Sequence, residues 1–240
     1  MRTAVVWSVL RDALTALAVD RGDARLHVLD AGGGTGGFAV PLAGLGHEVT
    51  VVDPSPDSLA ALERRAAEAG LAGAIHAVQG DAAQLPELVA SESVDAVLFH
   101  SVLEVVDDPT ASVAALAGVL RRGGIASVLA AGRAAAVVAR ALAGHFDEAA
   151  HVLDDPHGRF GPSDAVVRRF TESELSELLT AAGLHVQSVH AVRVFSDLVP
   201  GALLDDPAAG ASLLALEEAV SARAEFRALA TQLHVLATRP

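Results

Sequence analysis

The stretch Leu26 to Phe38, LHVLDAGGGTGGF, decides the fold. An apolar run ends in an acid, Asp30, and glycine then occupies positions 32, 33, 34, 36 and 37. Arg25 to Asp30 reads as a short buried strand, because it is apolar, β-branched at Val28 and ended sharply by glycine. Beyond the glycines, Phe38, Leu42 and Leu45 recur at helical spacing. Pro41 falls in the first turns, where a missing N–H does little harm. The glycines therefore turn a strand into a helix N-terminus. Glycine permits positive φ and lets a ligand come against the backbone. The helix N-terminus adds unpaired N–H groups and positive potential.

Gly32, Gly34 and Gly37 also satisfy G-x-G-x-x-G, so an NAD(P)-dependent oxidoreductase is one reading. Asp30 argues against it. A carboxylate just before the glycines repels a pyrophosphate and favours a cationic ligand. A cofactor-binding protein without chemistry of its own is a third reading.

Composition narrows the field. The chain has 240 residues, 52% of them hydrophobic, enough for one large domain with a buried core. It has no Cys, which excludes thiol catalysis, disulfides and thiolate metal sites. All 17 basic residues are Arg, which excludes Schiff-base chemistry and a P-loop lysine. A net charge of −13 disfavours a broad nucleic-acid surface. The ten His show no H-x-x-x-H spacing, so no metal is expected. No segment demands a membrane: Arg11 and Asp12 interrupt the apolar start, and Arg133 and Arg140 divide the apolar run 124–144 into a strand and a helix. A soluble cytoplasmic protein, monomer or homodimer, is expected.

In chain order, Val5 to Val19 is amphipathic and predicts a packing helix. His47 to Asp53 predicts a second strand ending in an acid, about 20 residues beyond Asp30, where a ribose-gripping acid falls in nucleotide-binding sheets. Ser55 or Asp57 caps a helix over Ser58 to Ala69. Ala74 to Gln79 is a third strand, followed by Gly80-Asp81-Ala82. Val94 to Phe99 is a fourth, with His100 at its end. Pro109 opens a helix through Leu120, and Gly123-Gly124 turn into a fifth strand, Ile125 to Ala130. The alternation implies α/β architecture with a parallel, doubly wound sheet. Its ligands lie at the carboxyl ends of the strands, where Asp30, Asp53, Asp81 and His100 all fall.

VLDAGGGTG (Val28 to Gly36), VVDPS (Val51 to Ser55), GDA (Gly80 to Ala82), VDAVLFHSVLEVV (Val94 to Val106) and LRRGG (Leu120 to Gly124) resemble, in order and spacing, the class I S-adenosylmethionine-dependent methyltransferases. Within them the chain is similar to the bacterial tRNA 5-carboxymethoxyuridine methyltransferases, through FHSVLEVVDDP, GHFD (Gly144 to Asp147), VRVFSDL (Val192 to Leu198) and HVLATRP (His234 to Pro240). It departs from them after GHFD, where HVLDDPHGRF brings acids in place of a lysine cluster, and at Ala131-Gly132, where a related enzyme has Tyr-Asn.

The resemblance implies a seven-stranded Rossmann-like methyltransferase sheet with the last strand antiparallel, inserted between strands five and six. It implies S-adenosylmethionine as cofactor and S-adenosylhomocysteine as product. Gly32, Gly33 and Gly34 should lie against the methionyl part, with Asp30 holding the loop. Asp53 should accept both ribose hydroxyls. Asp81 should accept the adenine amino group while the Ala82 amide donates to the ring. His100 should approach the methionyl end, and Arg2 the cofactor carboxylate.

Past Ala131, Ala134 to Ala143 is helical, and residues 145–169 show no periodicity. The expected organisation is one domain over 1–240, with 1–22 as an N-terminal helix and 132–170 as a substrate lid. Thr171 and Glu174 form a capping box ahead of a helix that ends at Gly183. His185 to Phe195 is a strand, Ser212 to Ala228 a helix, and Gln232 to Thr238 the last strand. His100 and Glu104 are the candidate catalytic bases, and Arg193 the candidate anchor for an acidic acceptor. The charge favours a small anionic acceptor over tRNA, although Arg133, Arg140, Arg159, Arg168 and Arg169 gather in the lid region as a possible RNA-facing cluster.

Overall fold

Each apolar run that reads as a strand takes its place in one sheet. The computed structural model describes residues 3–240, apart from the side chains of Leu203 and Leu204. Arg2 lies outside the described residues. The elements are α1 (Ala4–Arg21), β1 (His27–Ala31), α2 (Ala39–Gly44), β2 (Glu48–Asp53), α3 (Pro56–Glu68), β3 (Ile75–Gln79), a 3-10 turn (Ala82–Gln84) running into α4 (Leu85–Leu88), β4 (Val94–His100), α5 (Pro109–Val119), β5 (Leu120–Ala131), α6 (Arg133–Leu142), α7 (Phe146–Asp154), α8 (Glu172–Ala181), β6 (His185–Val192), α9 (Pro207–Ser221), α10 (Ala224–Arg227) and β7 (Gln232–Thr238).

The seven strands order as β3-β2-β1-β4-β5-β7-β6. The first five pair in parallel. β7 runs antiparallel between β5 and β6. The strand order reverses between β1 and β4, and this switch point opens a crevice at their carboxyl ends. Helices cover both faces, so the central strands carry apolar side chains on both. Successive residues of a strand point to opposite faces. Leu98 accordingly packs with Leu10, Leu14, Leu42 and Leu62, while Phe99 packs with Leu103 and Leu116.

The helix starts follow from their caps. Ser55 Oγ accepts from the Ser58 N–H at 3.2 Å, and Asp108 Oδ1 from the Ala111 N–H at 3.0 Å. Thr171 and Glu174 close the expected capping box, with N–H···O distances of 3.2 and 2.7 Å. Gly183 follows α8 at φ +81°.

Beyond shifts of one or two residues at other ends, four parts of the chain differ from the sequence reading. β5 begins at Leu120 rather than after the glycines: Leu120 pairs with Val94, and pairing resumes at Ile125 with Ala96. Gly123-Gly124 sit inside this bulge; Gly123 has φ +72°, and a Cβ at Gly124 would fall 2.8 Å from two carbonyl oxygens. The stretch 145–169 is not wholly irregular, since its first part is α7. Asp147 and Glu148 suit the N-terminus of that helix, and Ala149 and Val152 are its buried residues. Nine residues are too few for a clear period. β6 stops at Val192, because Arg193 turns to φ +59°. The helix expected over Ser212 to Ala228 starts at Pro207, where Asp206 caps Ala208, and breaks at Arg223, whose ψ is 121°.

The segment after α7 is held by one buried pair. Asp164 accepts two N–H groups of its own loop, from Phe160 and Val166, each at 3.0 Å. Its two oxygens also meet the Arg169 guanidinium, which in turn donates to Gly158 O at 2.8 Å. Burial pushes the Asp164 carboxyl up, but Arg169 and the two N–H groups together hold it below its usual value. Arg169→Met leaves that carboxylate buried without its counter-charge, a change that costs roughly 3–5 kcal/mol. Urea unfolding should show the loss, and hydrogen exchange should accelerate first over residues 155–170.

Candidate active site

The glycine loop is clamped to the neighbouring strand. The Gly32 N–H donates to Val52 O at 2.7 Å. The Gly34 N–H donates to Asp53 Oδ2 at 2.9 Å, and Ser55 N–H to Asp53 Oδ1 at 2.9 Å. From α3, Arg65 reaches Thr35 O at 2.7 Å. Gly32 and Gly34 take φ of +75° and +55°, a region that L side chains rarely adopt. Gly33 is required for a different reason: a Cβ there would stand 2.6 Å from the Asp30 carboxyl and 2.9 Å from Val51. Asp30 thus lies directly beneath the loop.

A two-lobed crevice opens against this loop, with Gly32 and Ser101 in the walls of both lobes. The larger lobe, about 440 Å³, is lined by Asp53, Gly80, Asp81, Ala82, Val102 and Val106, among others. The smaller, about 310 Å³, is lined by Asp30, Gly33, Phe38, His100, Arg193 and Gln232, among others. The sheet therefore brings together the expected residues Asp30, Gly32, Gly33, Asp53, Asp81, Ala82, His100 and Arg193, and Gly34 joins them through Asp53. Glu104 sits behind the crevice; its Oε1 accepts from the Ala131 N–H at 2.9 Å.

The acids differ by environment. Burial, reinforced by the nearby Asp53 charge, pushes the Asp30 carboxyl up to about 7, and its Oδ2 has no hydrogen-bond partner. Burial likewise raises Glu104 to about 7 against the two backbone N–H bonds that lower it, and its Oε2 is unpartnered. Burial drives His100 down to about 3. Its Nε2 lies 2.8 Å from Ser127 Oγ, and the ring centre of Phe38 stands 4.6 Å from its own in an edge-on arrangement. Asp81 already caps the 3-10 turn through Oδ1, at 2.8 Å from Ala83 N and 3.2 Å from Gln84 N. Arg193 pairs with Asp197, while its Nε is buried and unpartnered.

Several wall residues were not visible in the sequence. Ser101 stands at φ +57° and its Oγ accepts from Gln232 Nε2 at 3.1 Å. The Val102 methyl lies where a Cβ on Gly32 would go, 2.4 Å away. A side chain at Gly32 would therefore strike Val102 of the crevice wall. Trp7 stacks on Phe38 at 4.8 Å, so α1 backs a wall residue of the smaller lobe besides packing on the sheet. Arg168 donates to Leu103 O and Val106 O, at 3.2 and 3.0 Å, and braces the loop that lines the larger lobe.

With this geometry in place, the comparisons with known proteins agree. Residues 29–128 match the model of a methyltransferase domain. The fold, the loop and that match together define a methyltransferase domain over these residues. More particularly, the chain is 34% identical over 150 residues to the tRNA 5-carboxymethoxyuridine methyltransferase of Escherichia coli, across 61% of this chain and 54% of that protein. It is 38% identical over 105 residues to the ubiquinone biosynthesis O-methyltransferase of Methylocella silvestris, across 42% of this chain and 38% of that one. The chain thus spans about half the length of the first relative. In fold it is similar to the crystal structure of magnesium protoporphyrin IX methyltransferase from Synechocystis with bound SAH, at a TM-score of 0.63 and 16% identity, covering 100% of this chain and 85% of that one. No helix among the described residues is long and apolar enough to cross a membrane, and no His/Asp/Glu group among them is arranged to hold a metal.

The raised acids have a measurable consequence. A carboxyl whose folded pKa lies above its unfolded value binds more protons when folded. Its contribution to stability is full below the unfolded pKa and is lost as pH rises through the folded one. For Asp30 the window runs from 3.8 to about 7, and for Glu104 from 4.5 to about 7. Asp30→Asn should therefore flatten the fall of ligand-free stability across that window, and adding Glu104→Gln should flatten it further. Urea midpoints at pH 4.5, 6 and 7.5 check this, and parallel slopes for wild type and both variants would contradict it.

Proposed function

We propose that the protein transfers the methyl group of S-adenosylmethionine to a small acceptor bearing a carboxylate or another anionic group, and releases S-adenosylhomocysteine. The observation that carries the cofactor part is the buried Asp30 carboxyl, unpartnered at Oδ2 beneath a glycine loop that tolerates no side chain. Ionised, that carboxyl suits a sulfonium and opposes a pyrophosphate, and a neighbouring cation favours the ionised form. In this reading Gly32, Gly33 and Gly34 pack against the methionyl part. Asp53 takes the ribose hydroxyls with the lone-pair sites left after its two N–H bonds. Asp81 offers Oδ2 to the adenine amino group, and the Ala82 N–H, unpaired as the first of its turn, donates to the ring.

When bound, S-adenosylmethionine supplies an already activated methyl, so the protein has to align and shield rather than activate. Alignment alone is worth roughly 7–11 kcal/mol of barrier. A carboxylate acceptor needs no base. For a hydroxyl or amine acceptor, Glu104, raised to about 7, has the proton affinity of a base but sits behind the crevice, so it serves only through a shift of the loop 102–106 that brings it to the acceptor. His100, at about 3, is too weak a base and serves as a neutral hydrogen-bonding group. Arg193 lines the smaller lobe with its Nε unpartnered and anchors the negative group of the acceptor. Residues 132–170 act as the lid over it. A cytoplasmic monomer or homodimer fits this reading.

The small acceptor is favoured by what the lid arginines do. Arg133 and Arg140 pair with Glu174 and Glu148. Arg159 donates to Gly161 O, Arg168 to the Leu103 and Val106 carbonyls, and Arg169 binds Asp164. Phosphates would have to compete with these partners on a chain of net charge −13. The second reading, a tRNA wobble 5-carboxymethoxyuridine methyltransferase, is favoured by the Escherichia coli relative. Methyl-transfer and gel-shift assays at low and moderate salt separate them. Turnover on small carboxylates without tRNA binding supports the first. Steeply salt-dependent tRNA binding with methylation of a wobble uridine derivative overturns it.

Asp53→Ala removes the proposed ribose contacts, two charge-assisted bonds worth roughly 1.5–3 kcal/mol each. Calorimetry with S-adenosylhomocysteine should show affinity reduced about a hundredfold or more, and a folded variant losing less than roughly threefold would sink the assignment.

A further inference from the structure

His100 does not stand alone. Its Nε2 is 2.8 Å from Ser127 Oγ, and that oxygen is 2.8 Å from His234 Nε2. The three residues lie on the neighbouring strands β4, β5 and β7 and form one buried polar track across the sheet. Ser127 and His234 are both fully buried. A third ring, His190 on β6, lies 6.0 Å from His234 but bonds Ser188 instead, so the track ends at His234.

A serine hydroxyl has one proton and accepts through its lone pairs. Between two ring nitrogens it satisfies both when it donates to one and accepts from the other. The two imidazoles are then opposite tautomers. Two arrangements exist, and the free ends of the track decide between them. Nδ1 of both rings is buried without a partner. A buried N–H with no acceptor is costlier and rarer than an unfilled acceptor. The proton therefore belongs at the end that a ligand serves. His100 is that end, because it lines the smaller lobe, whereas the His234 Nδ1 lies inside the sheet.

We propose that Ser127 and His234 are positioning residues: His234 Nε2–H donates to Ser127, Ser127 donates to His100 Nε2, and His100 is thereby held as the Nδ1–H tautomer, a fixed donor at the methionyl end of the crevice. The acceptor of that bond is an anionic oxygen, the cofactor's carboxylate or an acid group of the methyl acceptor. Burial keeps both rings neutral, which also spares a sulfonium from a neighbouring imidazolium. The inference deepens the methyltransferase reading and rests on it for the identity of the ligand; the tautomer requires only that the smaller lobe hold an acceptor, water or ligand, beside His100.

The test is long-range ¹H–¹⁵N correlation on the full ligand-free chain labelled at histidine, with His100→Gln and His234→Gln used to assign the two rings. The expected spectrum shows His100 protonated at Nδ1 and His234 at Nε2. The reverse pattern, or a tautomer mixture at His100, overturns the proposal. Ser127→Ala should shift His100 toward a mixture and weaken S-adenosylhomocysteine binding roughly three- to tenfold, the effect of one misplaced hydrogen bond. Ser127→Thr and His234→Gln, which keep the donors, should retain the His100 tautomer and near-normal affinity, while His234→Leu should not. Unchanged tautomer and affinity in Ser127→Ala would also overturn it. Failure of the wild-type protein to bind S-adenosylhomocysteine would count against the methyltransferase reading, and the tautomer pattern would still decide the track.

Discussion

The carboxylate of Asp53 holds the site together. It takes one N–H from the glycine loop after β1 and one from the turn after β2. A parallel sheet leaves the carboxyl ends of its strands to separate loops, and nothing in the ladder fixes those loops to each other. Asp53 does so at the point where the strand order reverses. Because the loop is clamped, Asp30 is covered by Gly33 and loses its water. Burial first, and the nearby Asp53 charge second, then push the Asp30 carboxyl up to about 7.

A second set of contacts joins the crevice to the region of the lid. The loop 102–106 forms a wall of the larger lobe. Arg168 holds it from outside through two carbonyls, and Glu104 holds it from inside through the Ala131 N–H. Ala131 is the last residue of β5, just before the lid segment begins. The segment proposed as a lid is thereby tied to the larger lobe of the crevice. Asp164 and Arg169 keep the lid's own irregular stretch in one arrangement.

Arginine serves this architecture in a way lysine does not. A planar fork can bind a carboxylate through two nitrogens, as at Arg169. The cations of the lid region are consequently internal braces. Their number in the sequence suggested an outward-facing cluster; their partners show where the charge is spent.

Much of this was legible in the sequence, because it is local. Strand ends, the glycine loop, the caps at Ser55 and Thr171, and the acids at the strand termini follow from short-range sterics and hydrogen bonding. The sheet order followed from the motif resemblance, and the strand at β7 took its expected place between β5 and β6. The short helix α7, the bulge at Gly123-Gly124 and the end of β6 were not legible, since nine residues carry little period and a bulge depends on the partner strand. Nor were the positive φ values of Ser101 and Arg193, which tertiary packing imposes on residues that do not favour them. The track from His100 through Ser127 to His234 is the clearest case. Ser127 and His234 are 107 positions apart, and only the register of β5 against β7 sets their side chains in contact. Local chemistry chose the elements and the acids; strand register and burial chose which side chains meet, because both depend on residues distant in the chain.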